Sequence, residues 1–225
     1  MLADIERGGE PLPADLRARV LKELVNRYAV EIDFAGAVDL PRRAVDYLLG
    51  HMPEAADLAR TYSHKEYTAT QSDPPQGPRE FFVTDNRTFA ADFTYLMSRK
   101  SPGVSEHMFL ESGRTKVLFW TVWGNAFVHY ELREDGGQAS RYDMNIHVFT
   151  NSRLLRVLLG SGLFRHFAKS MLEDVVQDVE SAVHEFDADS NPDRILPPYF
   201  VEDLKRGLRT EPPVQGVPWS GAPAH

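Results

Sequence analysis

The spacing of apolar residues changes period along the chain, and each change marks a new kind of element. A polar leader carrying Gly8, Gly9 and Pro11 gives way at Pro13 to Leu16, Val20, Leu24 and Tyr28, spaced as on one face of a helix. The period then drops to two: Val30, Ile32, Phe34 and Val38 alternate with Glu31, Asp33 and Ala35, which predicts a half-buried strand. Pro41 starts a second helix with Val45, Leu48 and Leu49 as its stripe, and Pro53 restarts a short third one. From Ser63 to Thr150 the runs HKEYTAT, REFFVTD, TFAADFTYLM, SEHMFLE, TKVLFWTVW, NAFVHYELRE and SRYDMNIHVFT all read as strand. DPPQGP, DNR, KSPG, SGR, GN and EDGG separate them, turn chemistry too short for crossovers. A meander of about six or seven antiparallel strands follows.

Asn151 and Ser152 offer a helix cap, and Gly160 and Gly162 interrupt what comes next with a kink or a break. Beyond them Phe164, Phe167, Met171, Val175, Val179, Ala182 and Phe186 form one apolar stripe on a long helix. Lys169, Glu173, Asp174, Gln177, Asp178 and Glu180 form its polar back. A tail with NPDRILPPYF and the helical piece VEDLKRGLR closes the chain. The expected organisation is a leader and helix over 1–27, a main domain over 28–187, and an extension over 188–225 that packs on it.

This order of elements resembles the helix-grip fold of the START and birch-pollen-allergen superfamily, which includes polyketide cyclase/dehydratase-like and lipid-transfer proteins. VEIDFAGAVDLPRRAVDYLL at 30–49 and the stretch from Val117 to Phe186 carry the resemblance. It implies an α+β fold: a curved antiparallel sheet of about seven strands gripping a long C-terminal helix, with a cavity between them. The first helix and the tail are additions to that pattern.

Composition narrows the chemistry. With no cysteine among 225 residues, disulfides, thiolate nucleophiles, Cys-based zinc sites and iron–sulfur clusters are excluded. A net charge of −8 and a pI near 5.5 leave no basic surface for a run of phosphates, so no nucleic-acid partner is expected. No apolar stretch reaches about 18 residues and the first residues lack a signal-peptide pattern, so a cytoplasmic protein without a transmembrane segment is expected. The eight histidines are scattered, with no H-x-x-x-H or H-E-x-x-H pair, so neither a metal nor a cofactor is predicted.

Turn placement assigns faces. A two-residue turn at Gly124-Asn125 would pair Trp123 with Ala126, Thr121 with Val128, Phe119 with Tyr130 and Val117 with Leu132. Val117, Phe119, Thr121, Val128, Tyr130, Tyr142, Met144 and Ile146 then form the inner wall, and Phe164, Phe167, Met171 and Val175 face them from the helix. His129, Glu131, Arg141, Asp143, Asn145 and His147 take the wet face. At Ser112-Gly113 a two-residue turn sends Glu106 inward and a three-residue loop sends His107 and Phe109; the plainer reading of either polar group is one at the cavity mouth, reaching water. Leu118, Trp120 and Val122 would then form an apolar outer stripe, covered by the terminal segments or, failing them, by a second copy of the chain in a homodimer.

The expected function is binding or transport of a hydrophobic small molecule such as a lipid, isoprenoid or polyketide-like ring. No catalytic residue is assigned on this reading. The alternatives are a cyclase- or dehydratase-type enzyme, with Glu106 or His107 and Tyr130 or Tyr142 as acid–base groups, and a non-enzymatic interaction protein with a filled core. A hydrogen bond from His107 or Glu106 to a tyrosine in a cavity would favour the enzyme.

Overall fold

The computed structural model describes residues 12–25, 30–71, 80–117, 120–149, 157, 161–190, 192 and 195–209. Its strands are β1 (Val30–Val38), β2 (Thr68–Gln71), β3 (Glu80–Thr84), β4 (Phe89–Ser101), β5 (Val104–Val117), β6 (Trp120–Asp135) and β7 (Ala139–Phe149). They form a seven-stranded sheet in the order β1-β7-β6-β5-β4-β3-β2. Every neighbouring pair is antiparallel. The helices are α1 (Ala14–Val25), α2 (Arg42–Gly50), α3 (Met52–Tyr62), α4 (Gly162–Ala188) and α5 (Pro198–Leu208). This is the α+β helix-grip fold.

Two expected turns are absent. β5 runs straight through Ser112-Gly113 and β6 through Gly124-Asn125, and Gly113 pairs with Gly124 across the ladder. The turn falls instead between Val117 and Trp120, which pair with each other. Gly113 is there because the strands crowd: a Cβ on it would sit 2.4 Å from the Ala91 Cβ and 2.5 Å from the Ala90 carbonyl oxygen. The glycines of EDGG do serve a turn, Gly136 and Gly137 having φ of 68° and 83°.

The inner face of the sheet meets α4. Val30, Ile32 and Phe34 of β1 pack with Met144, Ile146 and Val148 of β7 against Phe164, Phe167, Ala168 and Leu172. Tyr130, Leu132 and Tyr142 pack with Ala182, Val183 and Phe186, together with Ala44, Leu48 and Leu58 of α2 and α3. Gly36 lets this happen, since a Cβ there would lie 2.6 Å from the Tyr142 hydroxyl. Helix α4 begins where Ser161 caps it, its Oγ accepting from the Phe164 N–H at 3.3 Å. The caps expected at Asn151 and Ser152 lie outside the described residues.

The outer face is covered by α1. Leu16 and Val20 close over Leu96, Met97, Met108, Leu110, Phe127 and Phe149. A register shift between Tyr95 and Met97 bends β4, and Leu96 and Met97 join that same outer cluster. Arg19 bonds Glu80 at 2.9 Å, and Asn125 donates to Glu23 at 2.9 Å. The described part of the tail does not share this work. Leu196, Phe200, Val201 and Leu204 pack on α2 and α3, and Gly207 approaches Ala44 so closely that a Cβ would lie 3.2 Å from its backbone. Leu118 and the side chains of Trp120 and Val122 lie outside the described residues, and with them the stripe expected to be covered by the terminal segments or, failing them, by a second copy.

Candidate functional site

The two ends of α4 differ in how tightly they meet the sheet. At the C-terminal end Ala182, Val183 and Phe186 are 0% exposed. At the N-terminal end Phe164 is buried, whereas Phe167, Ala168, Met171 and Leu172 are half-buried. Opposite this end, Phe93, Tyr95, Met144, Ile146 and Val148 are also half-buried, although they sit on the inner face. Phe109, Ala126 and Val128 pack with Met52 and those five residues in a cluster to which no described side chain of α4 contributes. The rings are set edge to face, Tyr95 on Phe109 at 4.8 Å and Phe93 on Phe109 at 6.4 Å.

Two polar features adjoin this aromatic patch. The first is a buried chain of hydrogen bonds. On β5, His107 is turned inward and is 1% exposed. Its Nε2 lies 2.9 Å from Asp46 Oδ1 on α2, and its Nδ1 lies 2.5 Å from the Tyr95 hydroxyl. Ser105 Oγ donates to the same Asp46 oxygen at 2.6 Å, Arg42 reaches the other at 3.2 Å, and the Lys100 ammonium stands 3.9 Å away. Burial alone would push the Asp46 carboxyl up, but the bonds from His107 and Ser105 and the charges of His107 and Lys100 outweigh it and hold it below the usual carboxylate range. With Asp46 ionised, Nε2 donates, and in the neutral ring Nδ1 accepts from Tyr95.

The second is Glu111, four residues further along the same face of β5, between Phe93 on β4 and Ala126 on β6. Its carboxyl carries no hydrogen bond or ion pair among the described residues. Desolvation by the surrounding protein pushes it up to about 7, yet the residue is only half-buried by surface. Its position on the inner face between Phe93 and Ala126 supplies that desolvation, and no charged neighbour contributes among the described residues. Thr115, on the same face beyond Gly113, leaves its Oγ1 buried without a partner among the described residues.

The expected site residues divide accordingly. Val128, Met144 and Ile146 pack in the aromatic patch and Phe167 packs with Phe164 beside β1, whereas Met171 is half-buried and belongs to none of the packed clusters of the described residues. Tyr130 and Tyr142 stack at 5.6 Å inside the closed core, their hydroxyls pushed up, each first by burial. Glu106 faces outward to Arg99 and His129, because the register that turns His107 in turns its neighbour out. Thr121 is exposed on the outer face: β6 has no turn at Gly124-Asn125, so Thr121 and Val128, an odd number of positions apart, alternate to opposite faces. Val175 is 37% exposed and belongs to none of the packed clusters of the described residues, so it is no part of the wall. Phe119 and the side chain of Val117 lie outside the described residues.

Sequence reasoning missed Asp46, Tyr95, Ser105 and Glu111. Asp46 reads as the solvent side of a helix, and Glu111 as the edge of a turn that does not form. Elsewhere Asp39, Glu180 and His184 bring ligand-type atoms within 4.8 Å of one another on the surface, an exposed grouping that is common without an ion.

No family model and no curated protein matches the chain. Among solved structures, it is similar to Ara h 8.0201 (TM-score 0.46, 11% identity, 67% of this chain and 94% of that one). It is also similar to a hypothetical protein of Helicobacter pylori (TM-score 0.45, 9% identity, 69% and 88%). A third likeness is to the Zhui aromatase/cyclase of a Streptomyces species (TM-score 0.37, 14% identity, 80% and 96%). These are likenesses of general shape. No helix among the described residues is long and apolar enough to cross a membrane.

Proposed function

We propose that the protein binds a hydrophobic small molecule between the N-terminal half of α4 and the centre of the sheet. The observation that carries this reading is the contrast along α4, closed at Ala182–Phe186 and half-open at Phe167–Leu172. Apolar side chains on an inner face close-pack when nothing else fills the space. Phe93, Tyr95, Phe109, Met144, Ile146 and Phe167 offer an aromatic and thioether wall, and burying apolar ligand area there is favourable by about 25 cal/mol per Å². The Gly162 end of α4 is the place for a ligand to enter. The domain runs over 28–187, with the termini as its cover.

A native mass spectrum of gently purified protein tests this, with an apolar adduct expected. Phe167→Trp with Met171→Trp fills the space and displaces the adduct, whereas Val175→Trp, on the exposed side, leaves it. Unchanged occupancy in the double variant, or no uptake of any apolar probe, overturns the reading.

One observation favours a second reading, an acid–base enzyme: His107 is bonded to a tyrosine that reaches the aromatic patch. In it the Tyr95 oxygen takes a proton from the bound molecule as its own proton moves to His107 Nδ1, and ionised Asp46 stabilises the resulting imidazolium; the return transfer gives the proton back to the product. Tyr95→Phe keeps the wall and removes the proton, so turnover lost with binding intact supports the enzyme.

A further inference from the structure

Glu111 is a carboxyl without a partner among the described residues, flanked by Phe93 and Ala126, and the proton chain of Tyr95, His107 and Asp46 makes no use of it. Facing it across the ladders are Phe93 and Ala126. Along the inner face the titratable groups are Tyr95 and His107, tied to each other and to Asp46, with Tyr130 and Tyr142 beyond them. From α3 the patch receives Met52, while Glu54 bonds Tyr199 and Arg60 pairs with Asp57. The sheet-facing positions of α4 are apolar, and its Arg165, His166, Lys169 and Glu173 are exposed. Asp92, Arg114 and His129 alternate onto the outer face. Among the described residues, no cation is therefore placed to hold Glu111 ionised.

We propose that Glu111 is the polar anchor of the hollow, a carboxylic acid that donates its proton in a hydrogen bond to an oxygen acceptor, a carbonyl above all, on an otherwise apolar ligand. This rests on the binding reading above. An ammonium ligand is disfavoured, because both it and the carboxylate would have to be desolvated, while a carbonyl gives up far less hydration. The carboxyl titrates near 7, which sets the window: it donates below that pH and, as an anion, repels an acceptor above it.

Equilibrium dialysis of the full chain with three probes of one size tests the idea: acetylnaphthalene, ethylnaphthalene and naphthylmethylamine. At about pH 5.5 the ketone should bind roughly tenfold tighter than the hydrocarbon, and the preference should vanish by about pH 8.5. Glu111→Gln, whose amide still donates, should keep the preference at both pH values. Glu111→Leu should abolish it and leave ethylnaphthalene bound; far-ultraviolet circular dichroism confirms that each variant folds. Equal affinity for ketone and hydrocarbon at low pH overturns the anchor but not the hollow. An amine whose binding strengthens through pH 7 and is lost in Glu111→Gln overturns it in favour of a cation site. Failure of all three probes overturns the binding reading and this inference together.

Discussion

Asp46 and Glu111 are both carboxyls taken out of water, and they titrate in opposite directions because, among the described residues, Asp46 has partners and Glu111 has none. Asp46 is held down in the fold, so its stabilisation is complete above the carboxyl's ordinary value and is lost as pH falls through the lowered one. Glu111 is raised, so the folded form holds its proton more tightly than the unfolded chain, and stability declines as pH rises from the ordinary range to about 7. Unfolding followed by denaturant against pH should show both signs. Asp46→Asn should cost about 2–4 kcal/mol at neutral pH and lose the acid-side dependence. Glu111→Gln should gain on the order of 2 kcal/mol at alkaline pH and almost nothing at mildly acid pH. Parallel profiles for variants and parent would contradict both assignments. The sequence shows neither pairing: an Asp four residues after Arg42 looks like a surface ion pair, until β5 brings Ser105 and His107 over it.

Among the elements, α1 and β5 show how far patterns reach. Helical spacing from Pro13 located α1, and alternation located β1; these are local signals, and the structure keeps them over Ala14–Val25 and Val30–Val38. The shared face of Tyr130, Val128 and Ala126 with Tyr142, Met144, Ile146 and Val148 also followed from alternation, and the ladder pairs those residues. What α1 covers was not legible. Its partners come from β4, β5, β6 and β7, which converge on Leu16 and Val20 only in space. Leu16→Ala should lower unfolding free energy by about 2–4 kcal/mol in urea titration, and a loss under about 1 kcal/mol would mean that α1 is not docked. The misplaced turns have a related cause. A Gly-containing pair reads as a turn when viewed locally, whereas Gly113 is required by the Ala90–Ala91 backbone beside it.

Over the whole molecule, α4 bridges a solid end, where α2, α3 and α5 gather round Phe186 and Phe200, and an open end under the aromatic patch. Tyr62 and Tyr67 fasten it further, donating to Asp189 and Asp178 at 2.8 Å each. Amide exchange should therefore be slowest from Val179 to Phe186 and faster from Phe164 to Leu172, with acetylnaphthalene slowing the second set alone. Uniform protection along α4 would contradict the asymmetry.

The period of the apolar pattern, the prolines at the starts of α2 and α3 and the shortness of the turns determined the kinds of element, their order and the antiparallel sheet. All of these depend on residues a few positions apart. Tertiary structure alone decided that β5 and β6 run unbroken, that His107 rather than Glu106 turns inward to meet Asp46 and Tyr95, and that Glu111 is left without a partner among the described residues. Strand faces alternate at every residue, so one misplaced turn reverses them, and the charge of a buried group depends on neighbours far away in the chain.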